Sequence, residues 1–421
     1  MKNYIKIIFL FISITSIAQE KLTLEECYTL LNKNYPLAKQ TELLAKQNAL
    51  DLQVIRTGKL PQFDFLAQAT YQSDVTSIPI AIPGSTIEPP NKDQYKATIS
   101  VNQLIYAGGL IDASAAMKAA SLKTTQKQVE VSLYQLKKQV NQLYFSILLQ
   151  QEKYDLLTSK TALLEAKLKE VKAGIKFGVL LPTSDSVLEA ELLKIEQQFI
   201  EISFNKSSLI NTLSELIGTK INATTYLENS VVLIASNNEI KRPELDLFQL
   251  KKDEIESSNH LISKQNSPKL MSFVTGGYGN PGLNMLDNSF QSFYMVGLKL
   301  NWNVFDWNSN KKQRESLLIN KEIVDTEETV FKLNTNIALN QQQDEIDKIT
   351  SFIETDTSII ALRKAILETA ASQLKNGVIT ASAYITELTN LYEAENNLST
   401  HKIQLLLAKE NYKTTKGNPA P

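Results

Sequence analysis

Cysteine and histidine are nearly missing from this chain. Its 421 residues include one Cys, Cys27, and two His, His260 and His401. A single thiol excludes a disulfide framework and any site built from several thiolates. Two separated imidazoles leave little for His-based catalysis or metal binding, so neither an enzyme nor a cofactor protein is expected. Gly (14) and Pro (12) are also scarce, against usual shares of roughly 7% and 5%. A long chain with few breakers favours long helices. An excess of either charge is missing too. Lys+Arg 44 against Asp+Glu 45 offers no basic face, so no nucleic-acid partner is expected. What is present suffices for a core, with 43% hydrophobic and 21% charged residues. Length alone suggests two or three domains.

The N-terminus has the pattern of a secretory signal. Lys2 and Lys6 precede the short apolar run Ile7–Ile14, and Ser16-Ile17-Ala18 supplies small residues for cleavage after Ala18. The segment 1–18 is therefore expected to be a signal peptide. Its apolar run is too short for a membrane anchor, and no later run reaches the roughly 18 apolar residues of a spanning helix. Cys27 follows Glu25-Glu26, too far along to be a lipid-attachment site, and reads as a buried thiol in a short helix. Any membrane-spanning part must consist of strands.

The chain repeats itself. Leu60-Pro61-Gln62 recurs as Ser267-Pro268-Lys269, and Pro36 as Pro243, both at an offset of 207. Ile99–Asn102 recurs as Leu298–Asn301, and Phe177-Gly178-Val179 as Asn376-Gly377-Val378, both at an offset of 199. The offset changes once, between Tyr71 and Tyr95, where a surface loop is expected. Ordered recurrence of this kind marks a duplication.

Each repeat carries the same elements. A helix begins at the proline, about 36–57 and 243–265. Period-2 strands follow at about 60–72 and 94–106, then again at about 269–279 and 293–305, with apolar and polar residues alternating. From Leu136 to Ile175 a 4,3 spacing makes ten of twelve seam positions apolar, and the shifted seam from Thr335 to Leu374 keeps eight. The expected long helices are about 110–175 and 183–217 in the first repeat (19–217), and about 308–375 and 381–413 in the second (242–414). A polar linker, 218–241, joins the repeats, and 415–421 is a tail.

The strands are about the length of tilted membrane-spanning strands. Two hairpins give four strands with open edges, which lipid does not tolerate. Closure therefore requires several chains, and three would supply twelve strands. The helices carry Lys, Gln and Glu, so they belong in water. The mature N-terminus would then be periplasmic, with loops 75–92 and 280–292 facing the exterior.

At this point the chain resembles the TolC-like outer-membrane efflux protein family. The likeness rests on Leu22–Glu26, Asn34-Tyr35-Pro36, the Leu60-Pro61 strand entry, Gln103–Gly109 at the strand-to-helix corner, and the turns at Gly178 and Gly377. The resemblance implies a mainly α fold with a small membrane β-barrel portion. A duplicated helix–strand–strand–helical-hairpin unit would form a homotrimer with a 12-stranded barrel and an α-helical tunnel. It also implies a passive conduit without catalytic or cofactor chemistry, working with a periplasmic adaptor (membrane-fusion) protein and an inner-membrane pump of the RND or ABC class, and contacting outer-membrane lipid. The turns Gly178-Val179-Leu180 and Gly377-Val378-Ile379 become candidates for adaptor docking. Acidic residues after these turns would constrict the pore. Asp185 fits that place in repeat one; Tyr384 occupies it in repeat two, with Glu387 one turn later. At the corner, repeat two departs from Ala107-Gly108-Gly109 with Asp306-Trp307-Asn308.

Each feature also has a plainer reading. Asp185 follows Thr183-Ser184 and suits a helix N-cap or first-turn charge. Trp302 and Trp307 fit an aromatic belt or packing at the corner. Gly277–Gly282 formally matches G-x-G-x-x-G, but no helix is expected to open there, so it reads as a turn between strands. Two other functions fit less well: a periplasmic coiled-coil adaptor or scaffold, against which the paired period-2 segments argue, and a secreted enzyme, for which there are almost no candidate residues.

Overall fold

The computed structural model of the chain describes residues 21–76, 89–222, 225–228 and 239–417. The expected signal segment 1–18 lies outside the described residues, as do most of loop 75–92 and parts of the linker and tail. The elements run β1 (Lys21–Leu22), α1 (Leu24–Asn34), a 3-10 turn (Pro36–Ala38), α2 (Lys39–Thr57), β2 (Gln62–Tyr71), β3 (Asp93–Tyr106), α3 (Leu110–Gln135) and α4 (Lys137–Lys176). They continue with α5 (Ser184–Ile217), β4 (Tyr226–Leu227), α6 (Pro243–Gln265), β5 (Lys269–Asn280), β6 (Gln291–Asn301), α7 (Ser309–Lys375) and α8 (Ala381–Lys416). Two compact units share the chain. One comprises 39–131 and 243–332; the other takes the residues up to Ala38, Ser132–Arg242, and those from Leu333 onward.

The first unit contains an antiparallel sheet in the order β2-β3-β5-β6. Its hairpin registers run without interruption from Gln62↔Asn102 to Tyr71↔Asp93 and from Lys269↔Asn301 to Gly279↔Gln291. Alternation sorts the side chains by face. Phe63, Phe65, Tyr71, Ile99, Val274, Tyr278, Tyr294, Val296, Leu298 and Leu300 share one face, and all are exposed. Gln62, Asp64, Gln68, Lys96, Thr98, Ser100, Asn102, Thr275 and Lys299 lie on the other. Glycine and phenylalanine trade places across the β5–β6 pair: Gly277 faces Phe293, and Phe273 faces Gly297. A Cβ on Gly277 would meet the Phe293 ring at 2.4 Å, and one on Gly297 would meet Phe273 at 2.9 Å. Each ring therefore lies flat where its partner has no side chain, which restores the packing that glycine gives up.

Ion pairs tie the helices of this unit together. Lys252 of α6 reaches Asp325 and Glu328 of α7, each at 2.7 Å, and Lys118 of α3 reaches Asp51 of α2 at 2.8 Å. Between strand and helix, Gly108 and Gly109 have φ of +61° and +81°, and Trp307 and Asn308 have +55° and +61°. The duplicated corner thus keeps a left-handed backbone in both repeats, although one uses glycine and the other does not. Asp306 supports the second corner. Its Oδ2 accepts from the Asn310 backbone N–H at 2.9 Å and from Asn266 Nδ2 at 2.5 Å. These donors hold its carboxyl below the usual range.

The second unit is helical and has two cores. In one, Leu157, Leu164 and Val171 of α4 meet Leu188, Ile195 and Ile202 of α5, Ile360, Leu367 and Leu374 of α7, and Leu388 and Leu391 of α8. The sevenfold spacing on α4, α5 and α7 is the coiled-coil period. In the other, Leu24, Cys27, Tyr28 and Leu31 of α1 pack on Tyr144, Phe145 and Leu148 of α4, Leu213 and Ile217 of α5, and Ile403 of α8. Thr23 starts α1 with a reciprocal cap: its hydroxyl accepts from the Glu26 N–H, and Glu26 accepts from the Thr23 N–H. Cys27 is fully buried, and burial pushes its thiol up to about 12.

Three features depart from the sequence expectations. The helix expected at about 110–175 breaks at Leu136, where the ladder slips to an i→i−3 bond from the Leu136 N–H to the Leu133 carbonyl, 3.2 Å. Its counterpart, α7, is continuous. The strand expected at about 293–305 ends at Asn301. Within the linker, Tyr226–Leu227 pairs in parallel with Lys21–Leu22.

Candidate functional site

Two turns in the helical unit carry the residues singled out by the sequence. Their shape follows from a glycine after each helix. Gly178, with φ +76°, donates to the Ile175 carbonyl at 3.0 Å, and Val179 donates to that of Gly174 at 2.9 Å. Gly377, with φ +71°, donates to Leu374 at 2.9 Å, and Val378 donates to Gln373 at 2.8 Å. Both are Schellman ends, in which left-handed glycine satisfies the last helical carbonyls. The turns touch: a Cβ on Gly377 would stand 2.9 Å from the Val179 carbonyl oxygen.

The apolar turn residues are arranged unequally. Leu180 folds back onto Gly174, where a Cβ would meet its Cδ1 at 2.8 Å. Val179 and Val378 are exposed, while Leu180 and Ile379 are half-buried. A pocket of about 370 Å³ opens beside the first turn, lined by Lys167, Gly174, Phe177, Val179, Leu180 and Leu374. A shallower groove of about 530 Å³ runs beside the second, lined by Leu362, Ile366, Ala370, Ile379, Ala383 and Glu387.

The acidic candidates occupy different settings. Asp185 sits in the first turn of α5, half-buried, with Oδ1 accepting from the Ser186 N–H at 2.9 Å. Thr183, not Asp185, holds the N-cap position, and its side chain makes no cap bond. Asp185 therefore answers the helix dipole from within the first turn. Glu387 is engaged by Arg363 Nη1 at 3.4 Å and Asn390 Nδ2 at 3.3 Å.

Tyr384 does not take the pore position expected of it. It is 1% exposed, inside the core of α4, α5, α7 and α8, so it cannot line a lumen. Burial, with a smaller push from the Glu170 charge, raises its phenol to about 12. The reason is a slip past the turn. Buried Ser184, Leu188 and Glu191 of α5 recur as Tyr384, Leu388 and Leu391 of α8, an offset of 200 in place of 199. One residue rotates a helix face by about 100°, so the counterpart of Asp185 is Ile385.

The remaining singled-out residues resolve as follows. Gly277, Gly279 and Asn280 lie in β5, and no helix opens after them. Trp302 and Trp307 are exposed, the latter edge-on to Phe305 at 4.9 Å. His401 Nδ1 lies 2.6 Å from Asp356 Oδ2, and the pair joins α8 to α7. Among the described residues no helix is long and apolar enough to cross a membrane, and no group of three or more His, Cys, Asp or Glu is placed to hold a metal ion.

Sequence reasoning did not find Lys160. Its ammonium is buried against Glu191 at 2.9 Å, with the Tyr392 ring centroid 4.6 Å away. A lysine between seam positions Leu157 and Leu164 was the available signal.

No protein-family profile matches the chain, and no curated protein matches it. Solved structures do. The Campylobacter jejuni CmeC outer membrane channel is 16% identical with a TM-score of 0.63, covering 94% of this chain and 85% of that one. CusC, described for its folding and transmembrane channel formation, is 10% identical with a TM-score of 0.68, covering 94% and 92%. The Vibrio cholerae outer membrane protein VceC is 12% identical with a TM-score of 0.63, covering 94% and 96%. The strand-paired, helix-hairpin architecture of this chain is the TolC-like outer-membrane channel fold.

Proposed function

We propose that this chain is the outer-membrane channel subunit of an export system, a passive homotrimeric conduit. The observation that carries this reading is the sheet. One face carries ten large, exposed apolar side chains, Phe63 to Leu300, although burying a large apolar side chain is worth about 1.5–3 kcal/mol. The edge strands β2 and β6 run in opposite directions in the order β2-β3-β5-β6. The β6 edge of one copy can therefore pair antiparallel with the β2 edge of the next, and three copies close twelve strands with the apolar face toward lipid and no free edge.

Exposed helical stripes support association of copies. Leu43, Leu50 and Val54 line α2, and Ile319, Ile323 and Val330 line the part of α7 in the same unit. In the helical unit, Leu193, Ile200 and Phe204 of α5 and Ile359, Leu362 and Ile366 of α7 are likewise exposed. Coiled-coil spacing of unpartnered apolar residues suits packing against a second copy.

In this reading the sheet spans the outer membrane and the helices stand in the periplasm. A periplasmic adaptor docks at Gly178–Leu180 and Gly377–Ile379, where the two turns meet beside an apolar pocket, and an inner-membrane RND or ABC pump supplies the driving force. The scaffold alternative is disfavoured because it leaves the apolar sheet face in water. Membrane fractionation and crosslinking of the full-length protein test the reading. Outer-membrane trimers that conduct in planar bilayers are expected; a water-soluble monomer sinks it. Pulldown from crosslinked membranes identifies the adaptor and the pump.

Three Asp185 carboxylates near one another would attract cations. Asp185→Ala is expected to weaken block by polyvalent cations. Unchanged block leaves Asp185 with its helix-end role alone.

A further inference from the structure

The face of the sheet opposite the apolar one has its own charge pattern. Following the registers, its ionisable residues are Lys96 on β3, Lys269 on β5, Lys299 on β6 and Asp64 on β2. Asp64 accepts from Asn102 Nδ2 at 3.1 Å. Among the described residues none of the three lysines is paired with a carboxylate. Asp74, Lys92, Asp93 and Asp287 lie at or beyond the loop end of the strands.

The lysines are spread along the strands. Lys269 and Lys299 stand near the helix end, paired with Asn301 and Met271. Lys96 stands opposite Gly279, ten residues further along β5, or about 30 Å at strand rise. Lys96 is also held in place. Its ammonium sits 5.0 Å from the centroid of the Phe293 ring, which lies flat over Gly277. That contact keeps the charge on this face instead of letting it extend toward the loops.

We propose that this face makes the strand-lined section of the conduit favour anions, so that this section admits solutes of net negative charge more readily than cations. The proposal rests on the channel reading above. In a closed trimer, nine lysines would face three aspartates across a water-filled lumen bounded by low-dielectric walls, which concentrates the field of unpaired fixed charges.

The test is the reversal potential of the full-length protein in planar bilayers under a potassium chloride gradient. Lys96→Gln/Lys269→Gln/Lys299→Gln is expected to lower the chloride-to-potassium permeability ratio at least about twofold, and Asp64→Asn to raise it. Exposed Lys299→Gln alone should lower it by a smaller factor, which keeps the test decisive if the triple variant fails to assemble. Conducting pores whose ratio is unmoved by the lysine changes overturn the proposal. A wild-type protein that never conducts overturns the channel reading itself.

Discussion

Replacing Lys160 with methionine tests the helical core most directly. Its side chain is 5% exposed and that of Glu191 11%, and their charges meet at 2.9 Å between α4 and α5. The neighbouring seam residues Leu157 and Leu164 are fully buried, so little solvent reaches the charge that is left. Breaking a buried ion pair from one side costs about 3–5 kcal/mol because the remaining charge is stranded. Lys194 offers Glu191 a second cation at 3.6 Å, but it is 72% exposed, and solvent screens such a contact. The lower end of the range is therefore expected: about 3 kcal/mol for Lys160→Met and a similar loss for Glu191→Leu. The double variant strands no charge and should return to within about 1 kcal/mol of the wild type. Urea unfolding of the detergent-solubilised protein, followed by helical circular dichroism, measures all four corners of the cycle. Additive losses in the double variant, or a loss below about 1 kcal/mol for Lys160→Met, would refute the reasoning.

Four further outcomes follow. Gly377→Ala should destabilise more than Gly178→Ala in the same unfolding assay: both positions force alanine into left-handed geometry at about 1–2 kcal/mol, but only Gly377 also faces a backbone oxygen at 2.9 Å. Asn308→Gly, at φ +61°, should stabilise the corner by up to about 1 kcal/mol, read from the unfolding midpoint. Leu50→Asp together with Ile323→Asp should abolish crosslinked trimers while leaving the helical content unchanged, because both side chains are exposed within the single chain. Glu410 is buried, accepts from the Tyr28 hydroxyl at 3.3 Å, and has its carboxyl raised chiefly by burial. A raised folded-state value means that stability falls as pH rises through the interval above the unfolded value; Glu410→Gln should therefore stabilise near pH 7, with the gain shrinking toward pH 4, as unfolding at several pH values would show.

The parts of the fold that repeat a period were legible, and those that depend on one local contact were not. Phe63, Phe65 and Tyr71 against Gln62, Asp64 and Gln68 declare two faces before any partner strand is known, because the pleat enforces alternation. Leu157, Leu164 and Val171 declare a helical seam for the same reason. By contrast, the break at Leu136 has no proline or glycine to announce it, and the pairing of Lys21–Leu22 with Tyr226–Leu227 is two residues long, too short to carry a period. At the site, the turns were legible from Gly178 and Gly377, since helix ends of this geometry call for glycine. Tyr384 lies in the core because the offset of 199 does not hold across the turn, where one residue can be gained without disturbing either helix.

The two corners show what the duplication holds fixed. Gly108-Gly109 and Trp307-Asn308 are chemically unlike, yet all four residues have positive φ. At the first corner the requirement is steric: a Cβ on Gly108 would fall 2.1 Å from that of Ser267, so no side chain fits. At the second corner the Trp307 side chain is exposed, so a side chain is admitted at the expense of backbone strain. The Asp306 carboxylate, gathering Asn310 and Asn266, fixes the chain around that strained pair. The backbone path from strand to helix is thus common to both repeats, whereas the residues that enforce it are free to differ. The same division holds on the sheet. Strand register and the apolar face recur in both hairpins, while the charges on the opposite face do not: the first repeat contributes Asp64 and Lys96, and the second only Lys269 and Lys299. The duplicated elements thus set the architecture, and the face left free of that duty is where selectivity for a solute can be written.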